Sequence, residues 1–438
     1  MSKSNIYSAK AKRIAVAVYA AVIAFLTYTC VYAFRKPFTV VNFGGTSFAG
    51  VSYPTMLIIS QVIGYMLSKF YGIRLIAELK RASRWKTGLF LIMVSWLALL
   101  LLAVVPSPWG IICMAINGFS LGFMWGIVFS YVEGRKATDF IGSVMAVSFI
   151  FAGGFTRSAA LWLKDILGIN DYWLPFVTGA VFIIPICLFI FLLEKIPLPD
   201  KEDKEERTER LPMDVNERKK LITRFFAGIL LMVISYFFLT IMRDIRDNYM
   251  VVMWKELGYG KNYQLYAGTE TLISIVVLAI MALMVFVRKN LLAFKLVHII
   301  IIAGFIISGV ASLLFINGRL NGNWWMLLIG LGLYTAYIPF NCILFERMIA
   351  LFKLKGNAGF LIYVADSFGY LGSVLIMLIK EFFSFNISWS RFYSQGVVWF
   401  ALLGIICTIV SLQYFLNQHK DKSTGKWKLV PPSSLEPA

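Results

Sequence analysis

One pattern repeats along the 438 residues: a run of predominantly apolar residues, then a short polar loop. A helix needs about 20 such residues, at about 1.5 Å each, to cross the roughly 30 Å hydrocarbon core of a bilayer. The runs fall at 14–43, 50–72, 87–106, 109–131, 140–163, 172–194, 223–245, 264–287, 293–316, 323–348, 357–381 and 393–416. They predict an all-α membrane protein with twelve transmembrane helices, because in lipid only a helix or a closed barrel satisfies its own backbone hydrogen bonds. Composition agrees: 59% of the residues are hydrophobic and 15% charged, against about 25% charged in soluble domains. A water-facing globule is excluded.

The stretch EKIPLPDKEDKEERTERLPMDVNERKK, starting at Glu194, is too polar to insert and divides the chain. The organisation expected is an N-terminal six-helix bundle (1–194), a charged cytoplasmic linker (195–222), a C-terminal six-helix bundle (223–416) and a cytoplasmic tail (417–438). Most of the 42 lysines and arginines lie at the two termini and in alternate loops, which by the positive-inside rule places both termini in the cytoplasm of a multi-pass plasma-membrane protein. The basic N-terminus is therefore read as the flank of the first span rather than as a cleaved signal. The net charge of +19 is scattered over loops instead of forming one face, so no nucleic-acid partner is expected. The five cysteines and two histidines lack metal-ligand spacing, and no phosphate-cradling nucleotide motif occurs. Neither an enzyme, a metal nor a cofactor is expected.

Charges inside spans are the informative residues, since each costs about 2.5–3.5 kcal/mol even on lenient insertion scales. Arg35, Lys36, Lys69, Arg157 and Arg243 qualify. Arg35 follows Arg13 by 22 residues and Arg243 follows Arg224 by 19, so the first and seventh helices carry an arginine at nearly equal depth, as related halves do. Such a pair can face one central cavity, or each arginine can snorkel to the interface. Length favours snorkelling; the apolar sequence beyond each arginine, and Pro37 after Lys36, favour a kinked helix with Arg35 inside. The physics of the sequence leaves the two even.

The segment YAFRKPF (Tyr32 to Phe38) resembles the first-helix motif of the organophosphate:phosphate antiporters, the glycerol-3-phosphate and hexose-phosphate transporter branch of the major facilitator superfamily. GYMLSKF (Gly64 to Phe70), NGFSLGFMW (Asn117 to Trp125), Arg243 thirteen residues before Glu256, NAGF from Asn357 and FGYLGS (Phe368 to Ser373) are similar to further motifs of that family, in order, across both halves. The resemblance implies two pseudo-symmetric six-helix bundles, a phosphate gripped by Arg35 and Arg243, added positive potential from Lys69, and a cavity lined by Tyr32, Trp125 and Tyr334. Lys36 resembles a gating lysine, with Asp247 and Glu270 as its candidate partners.

Two departures bear on the substrate. Ile150 stands where the family has a fifth-helix histidine, and Leu121 where it has a fourth-helix glutamine. Arg157 serves either as a replacement cation or as a structural salt-bridge partner. Asp366, in mid-span, is a proton-coupling carboxylate or a fixed counter-ion. Asp247, four residues after Arg243, can pair with it along the helix, and Asp244 and Arg246 are read as interfacial.

The function expected is secondary transport of a small anionic, phosphorylated metabolite by alternating access, by a monomer in the lipid bilayer, with inorganic phosphate as an exchange partner. An empty cavity with two unpaired guanidiniums resists closure, which favours exchange over one-way movement. The alternatives are a transporter-like receptor for a phosphorylated ligand and a facilitator-type exporter of other small molecules.

Overall fold

The computed structural model describes all of the chain except residues 1–2, 42, 45–46, 49–50, 79–80, 133–134, 136, 199–214, 261, 263, 285, 288, 353–357, 384–386 and 424–438. Most of the charged linker, the end of the tail, part of the loop after the fourth span and Asn357 thus lie outside the described residues.

The twelve spans are Lys3–Tyr32, Tyr53–Glu78, Arg81–Val104, a fourth in two pieces (Gly110–Gly122 and Met124–Val132), Thr138–Leu167, Leu174–Glu194, Phe226–Glu256, Gln264–Met284, Asn290–Ile316, a tenth in three pieces, Ala358–Phe382 and Trp389–Ser423. The tenth comprises Gly322–Pro339, a π-helical turn Phe340–Leu344, and Phe345–Phe352. Eleven spans are long and apolar enough to cross a membrane; the other, Tyr53–Glu78, has 26 residues and carries Gln61 and Lys69 in its course. A short helix, Val215–Arg224, precedes the seventh span, and a two-residue antiparallel pairing of Ser47–Phe48 with Val51–Ser52 precedes the second. Twelve crossings put the first and last spans' outer ends on one face, called here the termini face; the other is the far face.

The first six spans pack mainly on one another, as do the last six; the halves meet chiefly where the fifth lies on the eighth and the second on the eleventh. Small residues set the tightest of these approaches. A Cβ built on Gly118 would lie 2.0 Å from the Gln61 carbonyl oxygen, and one on Gly64 2.1 Å from that of Ala115. Without a hydrophobic drive between helices in lipid, such backbone contact is what van der Waals packing can use. Gly118→Val is therefore expected to separate the second and fourth spans and to abolish the monodisperse peak in size-exclusion chromatography. A wild-type elution profile would contradict this contact.

The seventh span differs most from expectation. It continues for eleven residues past 245, to Glu256, and buries Asp244 and Arg246 instead of leaving them at the interface. Partners make this possible: Arg246 Nη2 lies 2.7 Å from Glu270 Oε1, and Asp244 Oδ1 lies 2.7 Å from Arg243 Nη2. A paired charge inside protein costs far less than one facing lipid, so charged residues did not mark the end of the helix. At its far end Glu256 accepts hydrogen bonds from the first backbone N–H groups of the twelfth span, Trp389 N at 2.9 Å and Ser390 N at 2.7 Å, where a carboxylate complements both orphan donors and the helix dipole.

Candidate functional site

A break in the first span positions its arginine. The helix ends at Tyr32, the chain turns through residues 33–36, and Pro37 opens a 3-10 turn, Pro37–Val40. Pro37 has no N–H and disfavours α geometry at Lys36, which leaves the carbonyls of Phe34 and Arg35 outside the helical ladder. Buried amides satisfy both: Asn117 Nδ2 donates to Phe34 O (3.0 Å) and Gln61 Nε2 to Arg35 O (3.1 Å). Gln61 also donates to Asn117 Oδ1 (2.8 Å), and Asn117 to Ser95 Oγ (2.8 Å). The close contact at Gly118 brings Gln61 and Asn117 together, so three spans, the second, third and fourth, hold the peptide that carries Arg35.

Arg35, Lys69, Arg243, Tyr32 and Trp125 line one central cavity, closed down to about 10 Å³, room for about one water molecule, with Tyr28, Tyr65, Phe149, Tyr337, Asn341, Asp366 and Tyr370. The two guanidiniums flank a pair of tyrosine rings: Arg35 stands 4.3 Å from the Tyr65 centroid, Arg243 5.1 Å from that of Tyr370, and the ring centroids are 5.3 Å apart. Their surroundings differ. Arg243 is bound by Asp244 and donates to the Tyr337 hydroxyl. Arg35 is 5% exposed, has no salt-bridge partner among the described residues and leaves Nε without a hydrogen-bond partner; the Tyr65 and Tyr32 rings lie against it, and the acid that acts on it, Asp247, is already held by Lys36 and Arg157. Burying an ion costs several kcal/mol, and a cation–π contact returns about 2 kcal/mol at best. Burial therefore outweighs the rings, which makes Arg35 a group suited to an anionic or water partner.

The other predicted residues form contacts between the halves. Asp247 of the seventh span lies between two cations of the first half, Lys36 Nζ at 2.5 Å and Arg157 Nη2 at 3.0 Å, and Lys36 also donates to Asn248 Oδ1 (2.8 Å). Arg157 further holds Thr39 Oγ1 (3.0 Å), Gly153 O (3.0 Å) and the Asp247 carbonyl. This cluster stands on the far-face side of the cavity, where Thr55 Oγ1 also donates to Glu381 (3.3 Å) across the second and eleventh spans. On the other side Lys69 Nζ lies 3.3 Å from Asp366 Oδ2.

Several assignments change with these positions. Glu270 pairs with Arg246, not Lys36, because the longer seventh span carries Arg246 to the eighth. Asp247 does not pair with Arg243; its carboxylate turns to the first half, and Arg243 takes Asp244 instead. Tyr334 is absent from the cavity lining and lies over Arg246, its ring centroid 5.7 Å from the guanidinium carbon. Tyr337, three residues on, faces the cavity. Arg157 has a partner in Asp247, and Asp366 has one in Lys69. Sequence reasoning missed Gln61 and the flanking aromatics. A signal existed for some: Tyr65 is four residues before Lys69, Tyr370 four after Asp366 and Tyr28 four before Tyr32, which places each on the same helix face as a singled-out residue.

A protein-family model matches residues 37–418, nearly the whole of this architecture. The chain belongs to DUF5690, a family of unknown function. A comparison with curated proteins finds no match. Among solved structures, this DUF5690 member is similar to the major facilitator superfamily proton:xylose symporter XylE (TM-score 0.62, 13% identity, covering 91% of this chain and 96% of that one). It is similar also to a point mutant of the nucleoside transporter NupG (TM-score 0.59, 13% identity, 91% and 100%). A bacterial homologue of human drug peptide transporters matches as well (TM-score 0.60, 12% identity, 92% and 98%). These likenesses establish that the DUF5690 chain has the major facilitator fold; at such identity they carry the fold alone.

Proposed function

We propose that this protein is a secondary transporter that moves a small anion across the plasma membrane by alternating access, as a monomer with both termini in the cytoplasm. The cargo is a phosphorylated metabolite, exchanged for inorganic phosphate. Arg35 carries the reading: a guanidinium buried in the cavity between the halves, with no salt-bridged carboxylate among the described residues, in a cavity that a second guanidinium of the other half also lines. Arg35 offers a planar fork to a phosphate, and Arg243 offers a second when the phosphate takes the place of Asp244 on it, a geometry that lysine's point charge does not reproduce.

The balance of buried charge supports it. Around the centre, Arg35, Lys36, Lys69, Arg157, Arg243 and Arg246 face Asp244, Asp247, Glu270 and Asp366, a surplus of two positive charges. An anion in the cavity answers the part of that surplus carried by Arg35, whereas a neutral sugar such as the xylose of one structural neighbour leaves it uncompensated. The four carboxylates all come from the second half and four of the cations from the first. Every rocking of one half on the other therefore makes or breaks ion pairs, which an alternating-access cycle requires.

A thermal-shift screen of purified protein tests this. Inorganic phosphate, sugar phosphates, carboxylates and neutral analogues are each added, since a ligand at ~100 times its Kd stabilises the folded state by about 2.7 kcal/mol. Phosphate-bearing compounds are expected to raise the melting temperature. A response confined to neutral compounds would sink the anion assignment.

A further inference from the structure

Asp366 occupies a place suited to a cargo oxygen. Its carboxylate lines the cavity and is 6% exposed. Oδ2 lies 3.3 Å from Lys69 Nζ, and Oδ1 accepts the Tyr236 hydroxyl at 2.6 Å. Lys69 belongs to the second span and Asp366 to the eleventh, so the pair ties the halves together. Its depth follows from the helices. Lys69 is 16 residues into a span that starts at the far face, and Asp366 eight into one that starts at the termini face. At about 1.5 Å per residue both lie toward the termini face. The pair thus crosses the route from the cavity to that face, opposite the Asp247 cluster.

A relay joins it to Arg243. Arg243 donates to the Tyr337 hydroxyl, which lies 2.8 Å from the Tyr236 hydroxyl, and Tyr236 reaches Asp366. Three cations line the cavity. Arg243 has Asp244 beside it, Lys69 has Asp366, and Arg35 has no acid at salt-bridge distance among the described residues, Asp247 being held by Lys36 and Arg157. The remaining surplus charge, in the Lys36–Arg157–Asp247 cluster, is fixed in the far-face contact and does not line the cavity.

We propose that Asp366 is a built-in surrogate for cargo charge, which makes transport selective for dianions over monoanions of the same shape. The inference rests on the anion-transporter reading and specifies its substrate. A monoanion answers Arg35 and leaves Lys69 with Asp366, so it binds while the termini face stays shut. A dianion answers Arg35 and Lys69 together and displaces Asp366, whose carboxylate is rehydrated as the second and eleventh spans part. Asp366 is then a specificity-determining residue that releases the closure only for cargo carrying the charge it replaces.

Methyl phosphate and methyl sulfate, alike in shape, are the probes, used at about pH 8, above a phosphate ester's second pKa of about 6. Both are expected to raise the melting temperature of the wild-type protein. Methyl phosphate should enter proteoliposomes at least about tenfold faster, a modest allowance for the Lys69–Asp366 pair that methyl sulfate leaves unbroken. Asp366→Asn should bring the ratio to about one, and Asp366→Glu should keep it. Hydrogen exchange on the wild type gives a second readout that needs no variant: methyl phosphate, but not methyl sulfate, should raise exchange in the second and eleventh spans. Equal uptake of the two anions by the wild type, undiminished discrimination in Asp366→Asn, or identical exchange with both probes overturns the proposal while leaving anion transport standing. Stabilisation by neither anion overturns both readings.

Discussion

Replacing Arg35 by lysine is expected to abolish anion exchange while leaving a folded, monodisperse protein, and Arg243→Lys should do the same. Each substitution keeps a positive charge, so a site that needed only positive potential would survive it. What is lost is the planar fork. Hydrogen bonds to charged groups contribute about 1.5–3 kcal/mol each, so losing one bond slows exchange by at least about tenfold and losing both bonds of a bidentate contact by more than about a hundredfold. Folding should hold because Arg35 supports little of the structure: its side chain has no salt bridge, and the peptide that bears it is fixed through its backbone carbonyls by Asn117 and Gln61. Arg243 is more embedded, with Asp244 and Tyr337 as partners, so its lysine variant should melt at a lower temperature than that of Arg35. Counterflow rates and melting curves on the two variants decide the matter; wild-type rates in both would remove the paired arginines from the mechanism.

The second large effect is expected at Asp247. Asp247→Asn leaves Lys36 and Arg157 buried without their shared carboxylate, and breaking a buried pair by removing one partner costs about 3–5 kcal/mol. The fold has an outlet that costs less than unfolding. Both cations belong to the first half and the carboxylate to the second, so separating the halves at the far face hydrates the cations. The variant should therefore rest open to the far face, with faster hydrogen exchange over residues 33–41 and 243–256 and a lowered melting temperature. Exchange and stability both unchanged from the wild type would show that the cluster does not hold that face closed.

The scaffold was legible because the bilayer imposes its length on every span and lipid forbids unpaired backbone. The twelve segments needed only apolar runs. Their ends were harder to read, and the seventh shows why: Arg246 and Asp244 look interfacial until the eighth span supplies Glu270 and the helix itself supplies Arg243 as partners. Arg35, Lys69 and Arg243 stood out as cations in apolar sequence, and all three line the cavity. Which acid would meet which cation was not legible, since Asp247 and Glu270 are partnered by the rotation and length of the seventh span rather than by spacing. Tyr334 and Tyr337 make the same point on a smaller scale. Three residues apart, near one face of the tenth span, they part because one lies over Arg246 while the other meets Arg243 and Tyr236 beside the π-helical turn.

Counterflow in reconstituted vesicles is the most direct test of the central claim, that an anion binds between Arg35 and Arg243 and is carried across. Proteoliposomes loaded with unlabelled inorganic phosphate are placed in a trace of labelled phosphate, and accumulation is followed with wild type and with Arg35→Lys. The account predicts transient accumulation above equilibrium by the wild type, dependent on internal phosphate and absent in the variant. No accumulation with phosphate or with any phosphorylated compound that stabilises the protein would contradict it, and would mark the molecule as a binder that does not move its ligand.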